Sequence, residues 1–124
     1  MKKILIVDDS KTARMMLKHW LTALRPDATI LEADGADQAL AHMKQPEGEW
    51  MAFIDYNMEG LNGMELVEAL MPFIPATRMA LVTANFQAAV QDRAHGKGIR
   101  FMKKPMNPKK VQMLLNQMEQ AEVQ

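Results

Sequence analysis

The sequence contains no cysteine, and its charges cancel. Without cysteine there can be no disulfide, no thiolate catalysis and no zinc held by thiolates. Fifteen Lys and Arg residues balance fifteen Asp and Glu residues, so charge gives no reason to expect nucleic acid or an anionic membrane surface as a partner. The absence of thiols fits a reducing cytoplasm, which we expect as the compartment.

Long apolar runs are also missing. No stretch approaches the roughly 18 residues that a membrane span needs. The apolar run at residues 4–7 is too short for the core of a signal peptide, and it ends on Asp8 and Asp9. We therefore expect neither feature. The 124 residues fit one domain spanning residues 1–124.

What the chain does have is a regular alternation of short apolar runs and segments with helical spacing. Caps support the helices: Ser10 precedes the first, and Asn107 with Pro108 opens the fifth. The fourth helix is predicted from Phe86 to a stop at His95 and Gly96. The predicted strands are 3–7, 28–32, 51–54, 79–82 and 99–102. This order indicates an α/β, doubly wound parallel sheet with five helices, and the unbroken alternation disfavours an antiparallel α+β arrangement.

Polar residues follow four of these strands. Asp8 and Asp9 come after the first, Asp55 after the third, Thr83 after the fourth and Lys104 after the fifth. Taken singly, each has an ordinary explanation as a helix cap, a loop acid, a helix entry or a solvated turn. In a parallel sheet, however, all of them share the carboxyl edge, where ligands bind in this class of fold.

The residue types at this edge indicate phosphoryl chemistry. Crowded carboxylates repel one another, and Mg²⁺ prefers such oxygen ligands. A metal ion and an ammonium group would neutralise a phosphoryl group, while a hydroxyl would contact its oxygens. A carboxylate aimed at that point would serve as the nucleophile and form an aspartyl-phosphate.

Five motifs carry a family resemblance: ILIVDDS at 4–10, EADGADQAL at 32–40, DYNMEGLNGMEL at 55–66, LVTAN at 81–85 and KKP at 103–105. With them the chain resembles the response-regulator receiver domains of two-component signalling, and in particular the single-domain regulators of bacterial chemotaxis. The resemblance implies a flavodoxin-like sheet in the order 2-1-3-4-5.

The resemblance also implies roles for site residues. Asp55 would be the phosphoacceptor. Mg²⁺ would be held by Asp8, Asp9, Asp55 and the backbone carbonyl of Asn57, while Lys104 would bind phosphoryl oxygens. The phosphoryl group would come from a histidine kinase or a phosphotransfer protein.

A switch is implied as well. Thr83 would bind the phosphoryl group and Phe101 would follow it inward, which repacks the face made by the fourth helix, the fifth strand and the fifth helix. Asn57 and Asn85 stand at positions that tune hydrolysis of the phosphoryl group. Phe101 lacks the hydroxyl of a tyrosine, so a switch through that hydrogen bond is excluded.

Some residues are not explained by the resemblance. Glu59 replaces a proline that is usual in the family, and the HGKG stretch at 95–98 adds charge near the output face. His19 and His42 are predicted to lie on the surface, and His95 to complement a helix dipole. Three methionines are expected either to contact a partner at the output face or to fill core gaps: Met102, Met106 and Met113.

Because the chain ends directly after the fifth helix, we expect its output to be a contact with an unknown protein. Two alternatives stay open. One is a phosphate sink without an output partner. The other is a phosphohydrolase of the haloacid-dehalogenase type, which needs a second acid where this chain has Asn57. If the protein is a phosphorylation-controlled binding module or a phosphate sink, we expect no enzymatic activity beyond slow self-dephosphorylation.

Overall fold

A parallel five-stranded sheet forms the centre of the computed structural model, which describes residues 2–120. The strand order is β2-β1-β3-β4-β5, which confirms the predicted doubly wound arrangement. The residues of β1 pair with both β2 and β3, so β1 and β3 lie inside the sheet. The strands are β1 (Lys2–Val7), β2 (Thr29–Ala33), β3 (Glu49–Asp55), β4 (Met79–Thr83) and β5 (Arg100–Lys103).

Helices follow each strand. Side-chain caps fix several of their starts: Ser10 accepts a hydrogen bond from the Ala13 amide, and Asn107 accepts one from the Lys110 amide. Asn62 and Glu65 form a reciprocal capping box. The helices are α1 (Lys11–Leu24), α2 (Ala36–His42), α3 (Gly63–Leu70), α4 (Ala88–Lys97) and α5 (Pro108–Gln120), with a short 3₁₀ turn at Ala76–Arg78. Within residues 2–120, no helix has the length and apolar character that crossing a membrane requires.

The sheet separates two apolar cores. One core packs α1 and α5 against alternate residues of the central strands, with Phe53 and Leu115 among its members. The other packs α2, α3 and α4 against the opposite face, with Ile54 and Leu81 among its members. Because both faces of the central strands are covered, their residues are almost continuously buried, as the apolar runs predicted.

The fourth helix differs from its prediction at both ends. It starts at Ala88, so Phe86 lies in the preceding loop, and it runs through His95 and Gly96 instead of stopping there. Its C-cap is Gly98, which adopts the left-handed conformation with φ of 81° that favours glycine. The sequence offers two glycines close together, and only this backbone conformation distinguishes the one that ends the helix.

The surface prediction for His42 was wrong, and the three methionines divide between their two alternatives. His42 is half-buried, and its Nε2 atom lies 2.9 Å from the carbonyl oxygen of Glu32. Met106 packs against the core beneath α1 and α5, which agrees with the alternative that it fills a gap in the core. Met102 is half-buried against the same core, while Met113 is 45% exposed and therefore stays available to a partner.

Candidate functional site

Three carboxylates meet at the carboxyl edge of the sheet. Asp8 directly follows β1 and Asp55 is the last residue of β3, and because β1 and β3 are neighbours their ends lie side by side. Asp8, Asp9 and Asp55 each offer a ligand oxygen, and these atoms lie within 4.8 Å of one another. Asp8 and Asp55 are buried, at 7% and 6% exposure, whereas Asp9 is open to solvent.

The ammonium group of Lys104 completes this acidic cluster. Lys104 follows β5, and its amide donates a hydrogen bond to the carbonyl oxygen of Thr83, which ties it to the end of β4. Its Nζ atom lies 2.8 Å from Oδ2 of Asp8 and 3.7 Å from Oδ1 of Asp55. The prediction that strand ends bring these acids and this lysine together is therefore correct in its geometry.

The raised pKa of Asp55 shows that its negative charge is not fully balanced by the neighbouring groups. The pKa of this carboxyl is raised from 3.8 to about 6, chiefly by burial and next by the neighbouring charge of Asp8. The Lys104 charge and a hydrogen bond from the Asn57 amide, 3.3 Å from Oδ1, act against this rise. Ionised Asp55 is thus under-compensated by its protein neighbours, which favours an added cation.

A second set of polar residues surrounds the hydroxyl of Thr83, which is buried. The Asn57 side-chain amide donates a hydrogen bond to Thr83 Oγ1 across 2.9 Å. The hydroxyl donates to the carbonyl oxygen of Asn85 at 3.1 Å and accepts from the Asn85 amide at 3.2 Å. Asn85 therefore contacts Thr83 through its backbone, while Asn57 uses its side chain.

Phe101 lies within β5, before Lys104 in the chain, and its backbone pairs with Leu81. Its ring is half-buried against the core that contains α4. The rings of Phe101 and Phe86 meet in a T-shaped contact, with centroids 6.2 Å apart. Phe86 is 50% exposed and lies in the loop that joins Thr83 to α4, so the loop and Phe101 are in direct contact.

Arg14 belongs to the site although its sequence context gives no sign of it. Its guanidinium group donates to the carbonyl oxygen of Asp8 and pairs with Glu32 at 3.2 Å. The arginine thereby fixes the turn between β1 and α1 to the neighbouring strand β2. An arginine on the face of a helix has no local signal that would single it out, because its partners come from two other elements.

The predicted site residues thus fall into two adjoining groups. The first contains the acidic cluster and Lys104, and the second contains Thr83 with its two asparagine partners. Glu59 and His95 are exposed and make none of the contacts described for either group. They stay unexplained by the site.

The donor set suits Mg²⁺. Three oxygen ligands within reach of one another, one of them open to solvent, match a cation that prefers carboxylates and retains several waters. The raised pKa of Asp55 adds an independent reason, since a divalent charge would relieve the repulsion that contributes to it. Asp8, Asp9 and Asp55 would hold the ion, which would supply charge neutralisation for an incoming phosphoryl group.

The fold and this site match a known class of protein. The family described as response regulator receiver domain matches residues 4–116. The chain therefore belongs to the receiver domains of two-component response regulators. Receiver domains are regulatory modules that interact with histidine kinases and output proteins, and they typically bind Mg²⁺ at an acidic pocket.

Individual relatives agree with this assignment. Chemotaxis protein CheY of Thermotoga maritima is 29% identical over 116 residues, covering 93% of this chain and 95% of that protein. A chemotaxis protein CheY homolog of Campylobacter jejuni is 39% identical over 66 residues, which span 53% of this chain and only 50% of that relative. The structure of Vibrio cholerae chemotaxis protein CheY4 superposes with a TM-score of 0.80 at 25% identity, covering 95% and 98% of the two chains.

Proposed function

We propose that this chain is a single phosphorylation-controlled receiver domain in which Asp55 accepts a phosphoryl group from a histidine kinase or a phosphotransfer protein. The observation that carries the proposal is the position of Asp55. It ends a central strand, is buried, and lies between two further carboxylates and the Lys104 ammonium group. We also propose the cytoplasm as its compartment, which the absence of cysteine fits.

The reaction is a transfer between two acceptors. A carboxylate oxygen of Asp55 forms a bond to phosphorus while the bond from phosphorus to the donor imidazole nitrogen breaks, and the imidazole leaves. Lys104 would neutralise charge on the transferred group from its position 3.7 Å from Asp55. Asp8, Asp9 and the Asn57 carbonyl, together with Asp55, would hold Mg²⁺.

The change of state would then start at Thr83. For its hydroxyl to donate to the phosphoryl group, the hydroxyl must give up the hydrogen bond that it donates to the Asn85 carbonyl oxygen. Movement of Thr83 toward the phosphoryl group would also weaken the hydrogen bond that it accepts from the Asn57 side chain. Movement of the loop after Thr83 would reach Phe101 through its contact with Phe86. The α4-β5-α5 face, on which Met113 is exposed, would in this way change its affinity for an output protein.

The phosphoacceptor is tested by incubating the protein with acetyl phosphate and Mg²⁺ and measuring intact mass. We expect one added phosphoryl group in the wild type and none in Asp55→Asn. No adduct in the wild type, or equal labelling of the variant, would refute the proposal.

A phosphate sink is distinguished by its lack of a phosphorylation-dependent partner. Beryllofluoride, which mimics the phosphoryl group, should increase or decrease binding of an output protein in a pull-down, and Asp55→Asn should remove the effect. A sink would give the same bound proteins with and without beryllofluoride. The hydrolase alternative gains no support, since the chain belongs to the receiver family and Asn57 stands where that enzyme class needs an acid.

A further inference from the structure

A cavity of about 210 Å³ lies directly beside the acidic cluster. It lies between α1, the central strands and the segment after β5, and it is partly open to solvent. Its walls are largely apolar, with contributions from Ala13, Met16, Leu17, Trp20, Phe53 and Met106. The apolar part of this space has no role in the phosphorylation chemistry proposed above.

The size and lining of the cavity suit an aromatic ring. An apolar cavity of about 150 Å³ is large enough to stay dry and bind benzene. The present cavity is larger, and aromatic, aliphatic and thioether groups line it. Trp20 and Met16 belong to the same helix, and Met16 is 51% exposed, so one wall borders solvent and gives a small molecule a route of entry.

The charges at one end of the cavity specify the polar group of the ligand. Asp8, Asp55 and Lys104 are also lining residues, and the first two are more than nine-tenths buried. With Asp9 within reach, three carboxylates face one ammonium group. Arg14, which also lies beside Asp8, is paired with Glu32. This excess of negative charge favours a cationic group and disfavours an anionic one.

We propose that the cavity binds a small aromatic amine, whose ring lies among the apolar side chains and whose ammonium group lies beside Asp8 and Asp55. Such a ligand would occupy the space next to the carboxylates that Mg²⁺ needs. It would therefore oppose metal binding and phosphorylation of Asp55. That regulatory consequence rests on the function proposed above, whereas the binding itself does not.

Three probes with the same ring separate the contributions of shape and charge: phenethylamine, 2-phenylethanol and phenylacetate. Titration is followed by ¹H–¹⁵N NMR of the tryptophan indole groups. Trp20 lines the cavity, and Trp50, 3% exposed and donating to the Pro46 carbonyl, serves as an internal control. We expect saturable shifts of the Trp20 signal with affinity decreasing from the amine to the alcohol to the acid, and an unchanged Trp50 signal.

Two variants and Mg²⁺ test the location. Ala13→Leu adds bulk to the cavity wall and should lower the affinity for phenethylamine by about tenfold or more. Met106→Ala enlarges the cavity and should retain phenethylamine binding. Saturating Mg²⁺ should weaken the amine but leave the alcohol unchanged. Absence of a saturable Trp20 shift, equal affinity for amine and acid, or unchanged binding in Ala13→Leu would overturn the proposal.

The outcome is separable from that of the phosphorylation test. If phenethylamine does not bind while acetyl phosphate still labels Asp55, only the cavity proposal fails. If the amine binds and labelling is absent, the proposed function fails and the amine site remains.

Discussion

At the scale of single residues, the site depends on charges that the protein alone does not balance. Asp55 is buried beside Asp8, and the nearest compensating group, Lys104, lies closer to Asp8 than to Asp55. A buried carboxylate with this surrounding costs folding free energy in its ionised form. Such a cost is common where charged groups converge on a functional site.

This cost predicts how stability depends on pH. Because the pKa of Asp55 is raised from 3.8 to about 6 in the fold, the folded state binds the proton more tightly than the unfolded state. The contribution of Asp55 to the free energy of unfolding is fully present below about pH 4, and it is lost as the pH rises through about 6. Asp55→Asn should therefore be more stable than the wild type at pH 7.5 by about 1–2 kcal/mol, allowing for water at the open sheet edge.

The measurement is urea unfolding across pH 4–8 in EDTA, which removes divalent metals. The advantage of Asp55→Asn should shrink as the pH falls toward 4. Asp27→Asn, which changes an exposed acid, is the control and should stay within about 0.5 kcal/mol of the wild type. Parallel stability curves for the wild type and Asp55→Asn would contradict the prediction.

A second residue-scale prediction concerns Asn57, whose side chain holds the Thr83 hydroxyl. Asn57→Ala removes this hydrogen bond, so Thr83 should reach a phosphoryl mimic at lower cost. We expect the beryllofluoride concentration for half-saturation to fall by about two- to tenfold, the equivalent of one net hydrogen bond. Fluorescence or NMR titration with Mg²⁺ and beryllofluoride measures it.

Asn85→Ala is the matched control for this experiment. Asn85 contacts the same hydroxyl through backbone atoms only, so truncating its side chain should leave the titration unchanged. If both alanine variants shift the midpoint equally, the Asn57 side chain has no special role.

At the scale of elements, the sequence predicts where helices and strands occur better than where they end. Ser10 and Asn107 mark helix starts correctly, because their side chains act within three residues of their own position. The predicted end of α4 was wrong because the sequence does not distinguish Gly96 from Gly98. Of these two glycines, only Gly98 adopts a left-handed backbone conformation. The contact between Phe86 and Phe101 joins a loop to a strand, so no local pattern could predict it.

The first residue of α3 gives a prediction at this scale. A Cβ atom at Gly63 would lie 2.6 Å from Cα of Tyr56 and 2.7 Å from the carbonyl oxygen of Asp55. Backbone cannot move aside easily, so Gly63→Ala should push α3 away from the end of β3. We expect a loss of about 2–4 kcal/mol in unfolding free energy and slower labelling of Asp55 by acetyl phosphate.

Gly96→Ala is the control, and it should increase stability where Gly63→Ala decreases it. Gly96 lies inside α4, and a Cβ atom there would meet nothing within 4 Å. Alanine should stabilise the helix by about 0.5–1 kcal/mol with unchanged labelling. A Gly63→Ala protein that is as stable as the wild type would show that α3 does not approach the strand this closely.

At the scale of the whole molecule, the alternation of strands and helices was sufficient to predict the parallel sheet, and with it the meeting of Asp8, Asp55 and Lys104. The reason is that topology alone brings strand ends to one edge. Hydrogen bonds such as the one from Asn57 to Thr83, and the cavity beside Asp55, depend on side-chain packing across elements. These features have no periodic signature and needed the folded structure.

The same topology predicts a response of the entire fold to Mg²⁺. The carboxylates are assembled only in the folded state, so an ion bound between them stabilises that state by linkage. At ten times its dissociation constant, Mg²⁺ should add about 1.4 kcal/mol and raise Tm by about 3–6 °C. Differential scanning calorimetry with and without MgCl₂ measures the shift.

Sodium chloride at matched ionic strength separates site binding from screening, since screening needs no defined ligand geometry. We expect little change in Tm with NaCl, and a reduced Mg²⁺ effect in Asp55→Asn because one ligand oxygen of the three is replaced by a neutral amide. Equal shifts from both salts, or an undiminished Mg²⁺ effect in the variant, would mean that the acidic cluster does not hold the ion. Because Asp55→Asn also removes the buried charge, only the increment caused by Mg²⁺ in each protein is compared.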